Sequence, residues 1–370
     1  MSERSFPLPS GLAPPSRRVR TDDDDIDDII HGNYDNLPNT SQLSRNNGAG
    51  DNVTPDINTF SDSASLGGSM TNAAQGDPVF RASIDDAKTI SHLLQAVMLD
   101  NKNSDATICL NERGLQVRVE KYQIMQATAY IAKERFRWHL TRNMEFRIEL
   151  KYLLNCLGIF TEPISDGMYF NPLYTQAAAY PPMEAPSVAM SLKLTMLAEG
   201  YPLELELTEA DVITKCTIAT KDARLPLSFG LEDDDVAAIF TMESDLLIDL
   251  WTDLDFSSET LTITVRKGES EDEANSFELK TTSDIGEITT CIHESSKKVV
   301  KLECSSQEPI AFNYSLNLFK LSLRALMPSK RSLMRISKTG TVCVHYVINV
   351  GDSTPAFVEF FLCPQVEGED

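Results

Sequence analysis

The amino-acid order points to an α+β protein built from two similar tandem domains. Three observations carry that expectation. The succession of elements that begins at Val79 begins again near Val236. Both halves contain many short runs in which apolar and polar residues alternate, the period of a half-buried strand. Each half also holds two stretches whose apolar residues recur at helical spacing. A unit this long is no solenoid repeat, whose period is roughly 20–50 residues. Helices set among meandering strands must pack on one face of a sheet, and layered α+β domains result.

In the first half VFRASI reads as a strand and DDAKTISHLLQAVM as a helix. Ile90, Leu93, Leu94, Val97 and Met98 share one helical face, with Lys88, His92 and Gln95 opposite. Asp85 and Asp86 supply a cap where the helix dipole is positive. ATICLNERGLQVRVE is a hairpin about an Asn-Glu-Arg-Gly turn. MEFRIEL is a strand that leads into the helix LKYLLNCLGIF. Leu150, Leu153, Leu154 and Leu157 form its apolar stripe, with Lys151 and Asn155 opposite. Residues 165–187, rich in Tyr, Pro and Ala, read as a loop insertion. The strands SLKLTML, LELELTE and VITKCTIAT complete this half.

TKDARLPLSFGLEDDD follows neither period and reads as a connector, residues 219–235, between domains at 79–218 and 236–364. The second half repeats the pattern with AAIFTM, then a helix striped by Leu246, Leu247, Leu250 and Leu254. Asp245, Asp249 and Asp253 occupy another face of that helix. They spread over about 12 Å of axis, too far to grip one ion, so they read as a solvated acidic face. TLTITVRK, FELKTT, EITTCIHE and VVKLEC alternate as strands. LNLFKLSLRALMPS is helical until Pro328, with Asn317, Lys320 and Arg324 off its apolar stripe. KRSLMRISK, TVCVHYVIN and AFVEFFLCP are the closing strands. LKLTML, VVKLEC and IAFNYS are the expected sheet edges, open to pairing with a neighbouring chain.

Residues 1–78 read as a disordered acidic tail rich in Ser, Asn, Asp, Gly and Pro. Its acidic block TDDDDIDD reads as a solvated charge run in preference to a metal site, and the short basic cluster SRRVR as an aid to nuclear import. Residues 365–370 form a second short acidic tail.

The 370-residue chain carries 33 Lys and Arg against 55 Asp and Glu, a formal charge of -22. Its surface as a whole would repel nucleic acid, so any DNA contact must come from a local basic face. Seven dispersed cysteines without a C-x-x-C pair suit reduced thiols, not a disulfide framework. MSERSFPLPSG has no apolar run of signal-peptide type, and no segment is long and apolar enough for a membrane span. A soluble intracellular protein without membrane contact is expected.

Phosphate-binding, dinucleotide, nucleophile-elbow and zinc-protease motifs are all missing from the sequence. The five histidines are dispersed, and His345, inside an alternating strand, reads as a satisfied sheet residue. No catalytic residue, metal ligand or cofactor is therefore assigned.

The repeated unit, the connector LPLSFGLEDDD and the closing AFVEFFLCPQVEGED resemble the sliding-clamp superfamily typified by PCNA. Within it the chain is most similar to the Rad-one family of the heterotrimeric DNA-damage checkpoint clamp, the 9-1-1 complex. The matching segments are ATICLNERGLQVRVE, FRIELKYLLNCLGIF, GYPLELELTEADVITKCTI, LMRISKTGTVCVHYVIN and FVEFFLCP, in that order. The resemblance implies two PCNA-like domains, sheets outside and helices lining a pore. It implies assembly with two other clamp-like subunits, loading by a clamp loader, and passage of double-stranded or primer-template DNA through the ring. It further implies a nuclear platform for repair and checkpoint proteins that supports checkpoint kinase activation.

On that reading Lys88, His92, Lys151, Lys320 and Arg324 face DNA in the pore, the alternative being ordinary solvated helix faces. Leu225, Leu227, Phe229 and Leu231 either line a groove for partner peptides or tack the connector onto the sheet. Two other functions stay open on the sequence. One is a metal-dependent 3′–5′ DNA exonuclease, an activity attributed to this family, which requires carboxylates gathered about an ion. The other is an acidic protein–protein adaptor.

Overall fold

The computed structural model describes residues 77–100, 105–158, 190–229, 231, 233–268, 274–348 and 354–365. Residues 1–76 with their two charge blocks, the 165–187 insertion and residues 366–370 lie outside them.

The first half opens with strand β1 (Phe80–Ile84) and helix α1 (Ala87–Ala96). Strands β2 (Asp105–Asn111), β3 (Gly114–Lys121), β4 (Met125–Ala132), β5 (Arg137–Leu140) and β6 (Met144–Glu149) follow. Helix α2 (Leu150–Leu157) and strands β7 (Met190–Met196), β8 (Leu203–Glu209) and β9 (Val212–Ile218) complete it. A two-residue strand, β10 (Lys221–Asp222), pairs with β6.

The second half repeats this order: β11 (Val236–Glu243), then α3 (Ser244–Thr252). Next come β12 (Thr260–Arg266), β13 (Ser276–Ser283), β14 (Gly286–His293), β15 (Val299–Cys304) and β16 (Ile310–Ser315). Helix α4 (Leu316–Leu326) precedes β17 (Ser329–Ser337), β18 (Val342–Ile348) and β19 (Ala356–Leu362).

Local chemistry explains these boundaries. Asp86 caps α1 by accepting a hydrogen bond from the Thr89 amide at 3.2 Å. The β2–β3 turn is held by Asn111 Oδ1, which accepts from the Arg113 and Gly114 amides at 2.8 and 3.2 Å. Gly114 is required there: its φ is +140°, and a Cβ would lie 2.3 Å from the Ile131 carbonyl oxygen. Helix α4 ends before Pro328, which has no amide hydrogen to continue the ladder.

The repeat is visible in the sheets as well as in the element order. Strands run β5-β1-β7-β8-β9 in one half and β15-β11-β17-β18-β19 in the other. The remaining strands run β6-β2-β3-β4 and β16-β12-β13-β14. Two of these four groups fuse, because β4 pairs with β19 along Met125–Tyr130 and Phe357–Leu362. With β10 at one end, a ten-stranded antiparallel sheet crosses from one half to the other. One apolar core runs through both halves, from Phe80, Ile90 and Leu153 to Trp251, Phe319 and Tyr346.

One sequence expectation needs correction. LKLTML is not a sheet edge, because β7 is paired on both sides, with β1 and β8. VVKLEC and IAFNYS are edges as expected, being β15 and β16. Strands β4, β5 and β10 lie outside the elements that the sequence pattern predicts. In β4, MQATAYIA, seven of the eight residues are buried, and small alanines replace the large apolar residues that make alternation visible.

Candidate interaction surfaces

Helix α1 lies beside both α2 and α4, and the charged residues of these helices lie off the apolar core. His92 and Lys151 are exposed, and Lys88 is half-buried. Arg324 is exposed too, but its Nη1 donates to the Met98 carbonyl at 2.8 Å, joining α4 to the end of α1. Lys320 is turned onto its own fold: Nζ donates to the Phe256 carbonyl at 2.7 Å and sits 5.2 Å from the Phe256 ring centroid. Burial lowers its pKa, against the pull of Asp255. The structure thus separates the five residues that the sequence assigns to the pore. Arg324 and Lys320 hold protein carbonyls, and His92 and Lys151 are exposed. On α3, Asp245, Asp249 and Asp253 are all exposed, and Asp249 lies 3.5 Å from Lys298 Nζ.

The connector is tied down at several points. Lys221 Nζ reaches Asp105 Oδ1 at 2.7 Å, and Arg147 Nη1 reaches the other oxygen at 2.8 Å. The Leu227 amide donates to Glu120 Oε1 at 3.1 Å. Phe229 stacks on Phe361 with ring centroids 5.3 Å apart and planes 15° apart. Glu120, Gln126 and Phe361 form one cross-strand row on β3, β4 and β19, and the connector crosses that row. Leu231 is half-buried, whereas Leu225 is 93% exposed. Ile124, also exposed, accepts from the Cys363 amide beside the end of β19.

The seam between β4 and β19 carries a buried polar cluster that sequence reading missed. The Tyr130 hydroxyl donates to Glu359 Oε2 at 2.9 Å. His345 Nε2 lies 3.2 Å from Glu359 Oε1, 3.1 Å from Cys343 Sγ and 3.1 Å from Arg335 Nη2. Burial, followed by the Glu359 charge, pushes the Cys343 thiol well above its usual pKa. Burial and then Arg335 hold the His345 imidazole well below its usual value. Burial raises Glu359 against the opposing pull of Arg335. His345 is therefore not an isolated histidine. The signal present was Cys-x-His on an alternating strand, which puts both side chains on one face. The missing information was the register that sets Glu359 opposite His345.

Strands β9 and β14 end their sheets without a second neighbour among the described residues. Both show apolar side chains at the surface: Val212 is 53% exposed, Ile213 60% and Ile288 39%. Such edges tend to be covered by another chain.

A family described as "Repair protein Rad1/Rec1/Rad17" matches residues 79–348. The chain belongs to this family. The Rad1/Rec1/Rad17 member is 28% identical over 288 residues to the human cell cycle checkpoint protein RAD1, covering 77% of this chain and 92% of the human one. It is 23% identical over 276 residues to the DNA damage checkpoint control protein rad1 of Schizosaccharomyces pombe, covering 71% and 80% respectively. Among solved structures, this Rad1/Rec1/Rad17 chain is similar to PCNA from Thermococcus kodakaraensis. The TM-score is 0.56 at 16% identity, over 77% of this chain and all of that one. PCNA from Entamoeba histolytica gives a TM-score of 0.55 at 13% identity, over 78% and 100%. The fold is that of the PCNA-like clamps, α+β with two similar halves.

Proposed function

We propose that this Rad1/Rec1/Rad17 family member is one subunit of a heterotrimeric sliding clamp of the DNA-damage checkpoint. The observation that supports this most is the relation between its seam and its free edges. Inside the chain, β4 of one half pairs with β19 of the other. Their counterparts in the repeat, β14 and β9, are both sheet edges that lack a second neighbour among the described residues. A chain joined to its neighbours through β14 and β9 would repeat its own internal seam. Successive junctions of one kind close a ring when the rotation per unit divides the circle.

The neighbours are two other clamp-like subunits, and a clamp loader opens the assembled ring around duplex or primer-template DNA in the nucleus. Encirclement needs only backbone contact and no base reading. His92, Lys151 and Lys88 are the residues assigned to that contact, with Arg324 at the α1–α4 junction and Lys320 engaged with its own loop. The exposed acidic row on α3 leaves much of the positive lining to the partners. The connector with Leu225, Leu227, Phe229 and Leu231 serves as the docking site for repair and checkpoint proteins. In this reading the chain works by binding, not by catalysis.

Affinity purification of the tagged full chain from its own cells, with measured stoichiometry, tests the proposal. Two further clamp-like subunits in equal amounts are expected. A monomer or a homotrimer would overturn it.

A further inference from the structure

We propose that Cys343, His345 and Glu359 form a tripod that binds a divalent metal ion of the zinc class. Cys343 and His345 stand two residues apart on β18, so their side chains leave the same face of the sheet. Glu359 is the direct cross-strand partner of His345 on β19. The three candidate donor atoms form a triangle. Sγ to Nε2 is 3.1 Å, Nε2 to Oε1 is 3.2 Å, and Sγ to Oε1 is 3.5 Å.

A tetrahedral zinc ion with bonds of about 2.3 Å to sulfur and about 2.0–2.2 Å to nitrogen and oxygen holds its donors about 3.3–3.6 Å apart. The Sγ–Oε1 side has that length, and the other two sides are shorter, so an ion would spread the triangle slightly. A thiolate, an imidazole and a carboxylate together suit zinc rather than magnesium or calcium, which take oxygen donors. Three protein ligands leave a fourth position for water or an incoming ligand.

The surroundings support an ion. His345 Nε2 and Glu359 Oε1 converge to 3.2 Å, a spacing that the imidazole's own N–H or a bound cation can bridge. Tyr130, from the other half of the chain, donates to the second oxygen of Glu359 at 2.9 Å and leaves Oε1 facing Cys343 and His345. Metal sites use outer partners in this way to orient a ligand. The cluster is buried but not sealed, since the His345 side chain retains 17% exposure.

Arg335 is the competitor. Its Nη2 lies 3.1 Å from the His345 nitrogen that would bind the metal, so binding displaces that hydrogen bond. The metal also displaces the Cys343 proton, which leaves to solvent; no electron moves. Thiolate and carboxylate then balance the double charge of the ion, with Arg335 left as a neighbouring cation that weakens the site.

The test uses the full chain, stripped with a chelator and titrated with Zn²⁺ by calorimetry. Co²⁺ serves as a spectroscopic probe of thiolate ligation. One equivalent of Zn²⁺ with proton release, a higher melting temperature and a thiolate-to-cobalt charge-transfer band are expected. C343S should abolish the band, and H345Q should lower affinity about tenfold or more. Y130F, acting only through Glu359, should lower affinity about 10- to 100-fold, and R335M should raise it. Circular dichroism establishes that each variant is folded. Absence of the cobalt band in the wild-type chain would overturn the proposal. So would equal Zn²⁺ uptake by wild type and H345Q, which would place the metal on other thiols such as the exposed Cys291.

Discussion

The Tyr130 hydroxyl on β4 donates to Glu359 Oε2 on β19 at 2.9 Å, a buried hydrogen bond between residues 229 positions apart. It stands on the strand pair that joins the two halves, so it reports directly on their union. Replacing Tyr130 by Phe keeps the ring and strands one buried carboxylate oxygen. A loss of about 1–3 kcal/mol is expected in urea denaturation, the range for an orphaned buried acceptor.

The same cluster sets a pH dependence in metal-free protein. Burial and Arg335 hold the folded His345 imidazole well below the unfolded value of about 6.5. As pH falls, the unfolded chain takes up that proton first. Stability is therefore retained above about pH 6.5 and lost below it, by up to about 1.4 kcal/mol per pH unit. Glu359 is shifted the opposite way, so its protonation in the folded state offsets part of the loss at lower pH. His345→Gln should flatten the first limb in chelator-treated samples, as read from urea midpoints between pH 7.5 and pH 5.

Phe229 holds the connector through its stack on Phe361. Phe229→Ala should remove about 0.5–1.5 kcal/mol of aromatic contact and free the segment around the exposed Arg224. Faster tryptic cleavage at Arg224 with an unchanged global urea midpoint is the expected pair of results.

The two classes of cation should behave differently. Lys151→Ala should weaken DNA retention by the assembled ring and lower the salt slope by about one. Lys320→Ala should instead cost about 1 kcal/mol of stability, because its ammonium serves the Phe256 carbonyl. Filter binding across a salt series and thermal melts of the same samples separate the two.

At the edges, Ile213→Asp on β9 and Ile288→Asp on β14 place a charge where a neighbouring strand would pack. Each should weaken subunit association by about 2 kcal/mol, roughly 30-fold, without loss of the monomer fold. Light scattering of mixtures with the partner subunits reads the association.

The connector shows how far sequence reading reached. Leu225, Leu227, Phe229 and Leu231 carried two possible roles, and nothing local distinguished them. The stack of Phe229 on Phe361 and the bond from the Leu227 amide to Glu120 tie that stretch to the sheet, while Leu225 stays open. Partners more than a hundred residues away made the difference. Lys320 and Arg324 likewise sat correctly on the polar side of α4. Their carbonyl acceptors, on Phe256 and Met98, lie on other elements.

Local pattern along the chain is enough for the inventory and its repetition: four amphipathic helices, most of the strands, a cap at Asp85–Asp86 and the turn that ends at Gly114. These follow from contacts within a few residues, where periodicity and backbone preference act. Only the tertiary structure decided that β4 meets β19, that β7 is central while β9 and β14 are edges, and that Cys343, His345 and Glu359 converge. Strand register between distant segments depends on which faces the assembled core buries, and no window along the chain contains that information.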